Sequence, residues 1–205
     1  MIAVIDHTYS NIKSICNSLT FLNASYEVVN AKDLSESYSK IIIPGVGNFS
    51  KTMDNLSSTG GKEKIIEFAK SKKPIMGICL GMQILASLGE ESGTTEGLNL
   101  IPGVVKKINT KIDEFLPHIG WNSVKINNYH PVLEGIKNDM DFYFVHSYKF
   151  CPTNDKDTIG ESFYSENFSS IVGKENIIGF QFHPEKSQKY GLKILNNFCN
   201  WNNKC

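Results

Sequence analysis

The stretch that most limits the fold is Pro74-Ile75-Met76-Gly77-Ile78-Cys79-Leu80-Gly81-Met82-Gln83. A short apolar run meets Gly-x-Cys-x-Gly and then apolar residues at helical spacing, the pattern of a strand turning sharply into a helix. Such a turn forces a strained backbone at its central residue and leaves no room for side chains beside it, hence glycine on both sides. A cysteine there projects above the sheet edge as a nucleophile. The helix start favours thiolate over thiol, and the backbone N–H of Leu80 points toward an oxyanion developing beside the sulfur. A buried core cysteine that happens to lie between glycines is the bland alternative, and it leaves the flanking strand and helix unexplained.

The first half of the chain alternates short apolar runs with amphipathic ones, the signature of βαβ units on a parallel sheet. Ile2 to Ile5 reads as a buried strand. Ile12, Ile15, Cys16, Leu19 and Leu22 form the apolar face of a helix that Ser10 or Asn11 can cap. Tyr26 to Val29 and Ile41 to Ile43 are further strands, the latter stopped by Pro44-Gly45. Helices are expected over Phe49 to Leu56 and Lys62 to Ser71, a strand over Pro74 to Ile78, and a helix through Met82, Leu85, Ala86 and Leu88 that Gly89 ends. The second half reads as strands at Val104 to Ile108, Ser123 to Ile126, Phe142 to Val145, Thr158 to Ser162, Ser170 to Val172 and Ile177 to Phe182, closed by a helix from Ser187 to Trp201. Glu90 to Leu98 and Pro152 to Lys156 read as loops too short to link domains. The expected fold is therefore α/β, a mostly parallel central sheet flanked by helices with an antiparallel or mixed extension, in one domain over residues 1–205.

Charge excludes some partners. Twenty-one basic residues balance 21 acidic ones, which leaves no field to attract nucleic acid or an anionic membrane surface. The start, Met1-Ile2-Ala3-Val4-Ile5-Asp6, lacks the basic region and longer apolar stretch of a signal peptide, and no run is long enough to span a bilayer. Cys16, Cys79, Cys151, Cys199 and Cys205 are odd in number and scattered, so neither a disulfide framework nor a zinc site is expected. The chain reads as cytoplasmic.

A thiolate nucleophile needs a base within reach and a group to orient that base. Gly179-Phe180-Gln181-Phe182-His183-Pro184-Glu185 offers both at the end of an apolar strand. His183 and Glu185 share one face if the chain stays extended, and Pro184 disfavours helix at His183. His183 would take the Cys79 proton and return one to a leaving amine, while Glu185 fixes its tautomer and stabilises imidazolium. A His-Pro-Glu tripeptide alone is weak. His146, His183 and Glu185 do not make a metal pattern, since no His-x-x-x-His pair or cysteine cluster accompanies them, and no cofactor is expected.

Together, Gly77 to Gln83 and Gln181-Phe182-His183-Pro184-Glu185-Lys186 resemble the class I, or triad, glutamine amidotransferases. Three further segments, Pro44-Gly45-Val46-Gly47-Asn48-Phe49, Pro117-His118-Ile119-Gly120-Trp121-Asn122 and Tyr143-Phe144-Val145-His146-Ser147-Tyr148, are similar to the glutaminase subunits of imidazole glycerol phosphate synthases. The resemblance runs from the first strand to the last helix. It implies that Cys79, His183 and Glu185 release ammonia from glutamine, with no cofactor, for a barrel-shaped synthase (cyclase) partner in a heterodimer. It implies the Val46 N–H as second oxyanion donor beside Leu80, after a peptide rearrangement, with Gly47 letting substrate approach the backbone. Gln83, Ser147 and Tyr148 would hold the amino and carboxylate ends of glutamine, and Asn11, Trp121 and Lys186 match the family's interface. Gln83 lies four residues after Cys79, hence on the same helix face.

One departure follows the first strand. The family usually has a glycine-bearing turn ending in Asn, whereas this chain reads His7-Thr8-Tyr9-Ser10-Asn11. Both glycines are missing, which alters the surface near the partner. Similar glutaminases serve surface-sugar amidination with their own synthase partners, and Gly-x-Cys-x-Gly also suits cysteine peptidases and related stress proteins, against which Gln83 and His-Pro-Glu stand.

Overall fold

The computed structural model describes residues 1–7, 12–111 and 115–202. Its first half comprises β1 (Ile2–Asp6), α1 (Ile12–Phe21), β2 (Tyr26–Asn30), β3 (Lys40–Ile43), α2 (Phe49–Thr59), α3 (Gly61–Lys70), β4 (Ile75–Ile78) and α4 (Leu80–Gln83). There follow β5 (Leu88–Gly89), β6 (Thr95–Glu96), β7 (Gly103–Lys107), β8 (His118–Ile126), β9 (Met140–His146), β10 (Tyr148–Pro152), β11 (Thr158–Tyr164), β12 (Glu166–Lys174), β13 (Ile177–Phe180) and α5 (Gln188–Asn200).

Parallel strands in the order β2-β1-β3-β4-β13 form the heart of the sheet. Beyond β13 the sheet continues through antiparallel β12, β10 and β7 to the short β5 and β6, while β11, β8 and β9 branch from β12. β5 rejoins β7 in parallel, so the extension is mixed. This is the α/β arrangement that the alternating runs predict.

Helices cover both faces of the parallel strands, which is why those strands are apolar throughout rather than alternating. Ala3, Ile5, Ile41, Ile43 and Ile75 face Phe49, Met53 and Leu56 of α2 and Ile65 and Phe68 of α3. Ile2, Val4, Ile42, Met76, Ile78 and Phe180 face the other way, with Ile15 and Leu19 of α1, Ile194, Leu195 and Phe198 of α5, and Phe142 and Phe144 of β9. Each fully buried side chain of this size contributes about 1.5–3 kcal/mol, so the strand ends that carry the chemistry rest on a rigid base. Among the described residues no helix is long and apolar enough to cross a membrane.

Three local expectations need correction. The helix after the elbow stops at Gln83 instead of running to Leu88. Leu85 and Ala86 make tight three-residue turns, and Ser87 and Glu90 donate to the carbonyls of Gly103 and Val105, which draws Leu88–Gly89 into the sheet as β5. Ladder pairing overrides helix propensity there. Pro152, expected to open a loop, instead ends the strand Tyr148–Pro152, which its sequence hides because it starts beside two polar residues and ends on proline. The third correction concerns His183 to Glu185, at the site itself. The helix cap expected at Ser10 or Asn11 lies outside the described residues.

Candidate active site

β4 ends at Ile78 and α4 begins at Leu80, so Cys79 alone makes the turn. Its backbone sits at φ 54° and ψ −110°, a conformation side-chain-bearing residues rarely adopt. Strain of this kind, about 1–3 kcal/mol, persists only where the surroundings over-determine it. Here the Cys79 N–H donates to the Phe180 carbonyl at 2.7 Å, and the Cys79 carbonyl accepts from Met82 and Gln83. The two glycines serve close approach. A Cβ on Gly81 would lie 1.7 Å from the Ile43 carbonyl oxygen, and one on Gly77 would lie 2.5 Å from that of Gly81.

β13 runs parallel to β4, with Gly179 opposite Gly77 and Phe180 opposite Ile78. The chain leaving β13 therefore passes directly beside the elbow. His183 keeps an extended backbone, but Pro184–Lys186 form a one-turn 3-10 helix rather than a continued strand. Proline at the first helical position explains this: it disfavours helix for the residue before it and starts one itself. The turn folds the Glu185 carboxylate back onto the ring, with Oε1 2.7 Å from His183 Nδ1 and both side chains only 2% exposed. The His183 N–H donates to the Tyr143 carbonyl at 2.9 Å, and the Ser187 hydroxyl donates to the His183 carbonyl at 2.7 Å.

Since Nδ1 donates to Glu185, Nε2 faces the thiol. Burial opposes protonation of His183, yet the Cys79 sulfur, by charge and hydrogen bonding, and then Glu185 outweigh it and raise the ring's pKa to about 10. Among the described residues Nε2 still has no partner within ordinary hydrogen-bond geometry. The contact is thus looser than a full hydrogen bond, as is usual before substrate tightens a catalytic site. The sulfur itself also touches the Val145 carbonyl and the Gln181 side-chain amide, each at 3.8 Å.

Of the two N–H groups expected as oxyanion donors, that of Leu80 is already engaged. The Leu80 N–H donates to the Gly45 carbonyl at 3.3 Å, so that carbonyl occupies part of the space an oxyanion would take. With α4 a single turn, the helix macrodipole adds little, and local N–H groups have to do the stabilising.

A pocket of about 250 Å³ opens over the sulfur and brings together Val46, Gly47, Cys79, Leu80, Gln83, Ser147 and Tyr148. Both amide hydrogens of Gln83 are engaged, by the Tyr148 carbonyl and by Gln181 Oε1, each at 3.0 Å. Its own side-chain oxygen is what remains to meet a ligand, and an oxygen suits an ammonium. Glu91 also lines the pocket, with Oε2 accepting from the Phe49 N–H at 2.7 Å. Sequence reading missed it because it lies in a polar turn-rich segment without a motif. Gln181 was missed as well, although it shares a strand face with His183 two residues on. A larger cleft, about 650 Å³, lies between α3, β5 and β6 and is lined by none of Cys79, His183 and Glu185.

Trp121 and Lys186 lie on one surface beside this site. Trp121 is half exposed and faces Tyr143 across the β8–β9 ladder, ring to ring at 6.1 Å, and the Lys186 ammonium sits 5.6 Å over the same tyrosine. Asn11 lies outside the described residues.

A carbonyl carbon held in the pocket would have the Cys79 sulfur on one side and the imidazole behind it, the arrangement of thiol-dependent acyl transfer. The family model described as "Glutamine amidotransferase class-I" matches residues 3–201. Among curated proteins, the chain is 44% identical over 206 residues to "Imidazole glycerol phosphate synthase subunit HisH" of Sulfurimonas denitrificans, covering 99% of each chain. It is 45% identical to the protein of the same description from Methanocaldococcus jannaschii, covering 97% of this chain and 98% of that one. Among solved structures it is similar to that of "PurLQS from Thermotoga maritima", with a TM-score of 0.76, 18% identity and 97% of each chain covered, a likeness of fold. The chain belongs to the class I glutamine amidotransferase family.

Proposed function

We infer that this chain is the glutaminase subunit of an imidazole glycerol phosphate synthase, acting as one domain, and that Cys79, His183 and Glu185 hydrolyse glutamine to glutamate and ammonia. The observation that carries the reading is the buried His183–Glu185 pair set behind the Cys79 thiol, which itself lines a pocket together with Gln83 and Glu91.

His183 first takes the Cys79 proton, which leaves a thiolate beside an imidazolium. The sulfur attacks the side-chain amide carbon of glutamine, and His183 gives its proton to the departing nitrogen, which leaves as ammonia from a thioester. Neutral His183 then takes a proton from water, whose oxygen attacks the thioester carbon. Cys79 is released and glutamate leaves. Glu185 holds the ring in the tautomer with Nδ1–H throughout. The Gln83 side-chain oxygen and the Glu91 carboxylate would take the α-ammonium, and the Ser147-Tyr148 pair would take the α-carboxylate. Rotation of one peptide, Gly45–Val46, removes the carbonyl from the Leu80 N–H and delivers the Val46 N–H in its place, beside Gly47. A single movement therefore completes the oxyanion hole.

Free ammonia would be protonated and lost in water, so an uncoupled glutaminase wastes substrate. That argues for a barrel-shaped cyclase partner forming a heterodimer and switching the site on, in the cytoplasm. The Trp121–Tyr143–Lys186 cluster supports it, because Tyr143 also holds the His183 backbone, and Asn11 would extend the same face. Relatives described as subunits of imidazole glycerol phosphate synthase along their full length favour this acceptor over a surface sugar. The test is the glutamine turnover of the isolated chain and of its complex with the cyclase subunit, for wild type, Trp121→Ala and Lys186→Ala. Activation by the partner that either substitution weakens is expected. Full turnover by the isolated wild-type chain would refute the gating.

A further inference from the structure

His7 follows β1 directly and opens the segment where this chain lacks the glycines usual in its family. Its ring is buried, 1% exposed, with Nε2 2.6 Å from the Pro44 carbonyl oxygen. A carbonyl only accepts, so Nε2 carries the proton. Nδ1 is buried, with no hydrogen-bond partner in another described residue. Burial pushes the ring's pKa below its ordinary value, against the pull of the Pro44 and His7 backbones and of the Asp6 charge, so a neutral ring donates from Nε2 to Pro44.

The carbonyl it holds belongs to the peptide immediately before Gly45–Val46. Rotating the Gly45–Val46 unit takes opposite changes in ψ at Gly45 and φ at Val46 and leaves the flanking peptides nearly in place, so where the Val46 N–H ends up depends on where the Pro44–Gly45 peptide is held. Gly45 is wedged at that pivot. A Cβ on it would come 3.0 Å from both the Gly81 nitrogen and the Leu80 Cβ, and 3.3 Å from His7 Nε2. The pivot therefore has the elbow on one side and His7 on the other.

We propose that His7 is a positioning residue for the oxyanion hole: by holding the Pro44 carbonyl it fixes the upstream end of the turn, so that the Val46 N–H arrives within hydrogen-bond reach of the developing oxyanion. The inference rests on the glutaminase reading above and deepens it. His7 touches neither substrate nor the reacting atoms. A fixed anchor matters because misplacement by about 1 Å can lower a rate about 100-fold.

The experiment uses the complex with its cyclase partner and the variants His7→Leu, which keeps bulk without a donor, and His7→Gln, which keeps an N–H donor. His7→Leu is expected to lower kcat for glutamine by about 10-fold or more, with KM within about twofold of wild type. Alkylation of Cys79 by iodoacetamide, which needs no oxyanion hole, stays at the wild-type rate, and His7→Gln recovers most of the lost kcat. Wild-type kcat in His7→Leu, or an equal fall in both variants, overturns the proposal. Nitrogen NMR of the wild-type ring decides it even where a variant fails to fold, since a proton on Nδ1 overturns it and one on Nε2 supports it. A wild-type complex that hydrolyses no glutamine would instead remove the glutaminase reading.

Discussion

His118 Nδ1 lies 3.0 Å from His146 Nε2, and the neighbours of this pair decide where every proton is. His146 Nδ1 is 2.9 Å from the Tyr148 carbonyl, which only accepts, so Nδ1 is protonated and Nε2 must accept from His118. That leaves His118 Nε2 to accept from the Asn122 amide at 3.3 Å. The hydrogen bonds thus run one way, from β8 to the wall of the pocket over Cys79, through two neutral rings. Burial pushes His118 down to about 4 and His146 to about 3, the latter helped by the nearby charges of His118 and His183. Phe144, Tyr164 and Phe168 pack around the pair and bring no counter-charge.

Acid should therefore attack this pair. Both folded pKa values lie below the unfolded value of 6.5, so the unfolded chain binds protons first, and the stability present above pH 6.5 is lost as pH falls toward 4 and then 3. The thermal midpoint of wild type is expected to drop by roughly 5 °C or more over that window. In His118→Phe the acid slope should be shallower, whatever its midpoint at neutral pH. Identical slopes in thermal melts across pH would exclude the pair as the source.

Cys79→Ala should abolish glutamine hydrolysis while the complex still makes product from added ammonium salt, because that reaction belongs to another chain. A glutamine-like electrophile should label Cys79 before the other cysteines. Burial raises the thiol pKa of Cys16, Cys151 and Cys199 and keeps them protonated. Peptide mapping with the label mainly at one of those three would contradict the elbow assignment.

Glu185→Gln should lower kcat by about 10²- to 10⁴-fold, less than loss of the nucleophile. The pH dependence has a definite sign. His183 is raised to about 10 in the folded chain, so its pairing stabilises fully below pH 6.5 and ceases to do so as pH climbs through about 10. The stability gap between wild type and Glu185→Gln, read from denaturant melts, should narrow over that alkaline range. A gap that widens would mean that the carboxylate does not hold imidazolium.

Glu91→Gln separates the two roles of that side chain. The amide oxygen can still accept from the Phe49 N–H, so the start of α2 and the thermal midpoint should hardly change. Losing the charge that faces the α-ammonium should raise KM for glutamine about 10-fold or more, with kcat little altered. An unchanged KM would place the amino end of the substrate elsewhere.

Much of this was legible in the residues. Apolar runs such as Ile41-Ile42-Ile43 mark strands covered on both sides, and Gly-Ile-Cys-Leu-Gly fixes the elbow because Gly81 has no room for a Cβ. What escaped was decided by long-range pairing. Leu85, Ala86 and Leu88 are apolar at helical spacing and buried or half-buried, but β7 draws Leu88 into the sheet instead. Similarly, Pro184 keeps His183 extended as expected, yet its preference for the first helical position turns Glu185 back. Glu91 became visible only through folding, since its partner Phe49 lies 42 positions away.

The pairing of β4 with β13 has a further consequence for when activity can first arise. Synthesis proceeds from the N-terminus, so the thiol of Cys79 emerges early, together with its own strand and turn. The strand whose Phe180 carbonyl grips the Cys79 amide, and the segment just after it that would carry the base His183 and its orienting carboxylate Glu185, are made only about a hundred residues later. Closing that contact is a late, non-local event in folding. On the proposed assignment, a chain cut short before that segment would carry a cysteine without its base and would be inert toward glutamine.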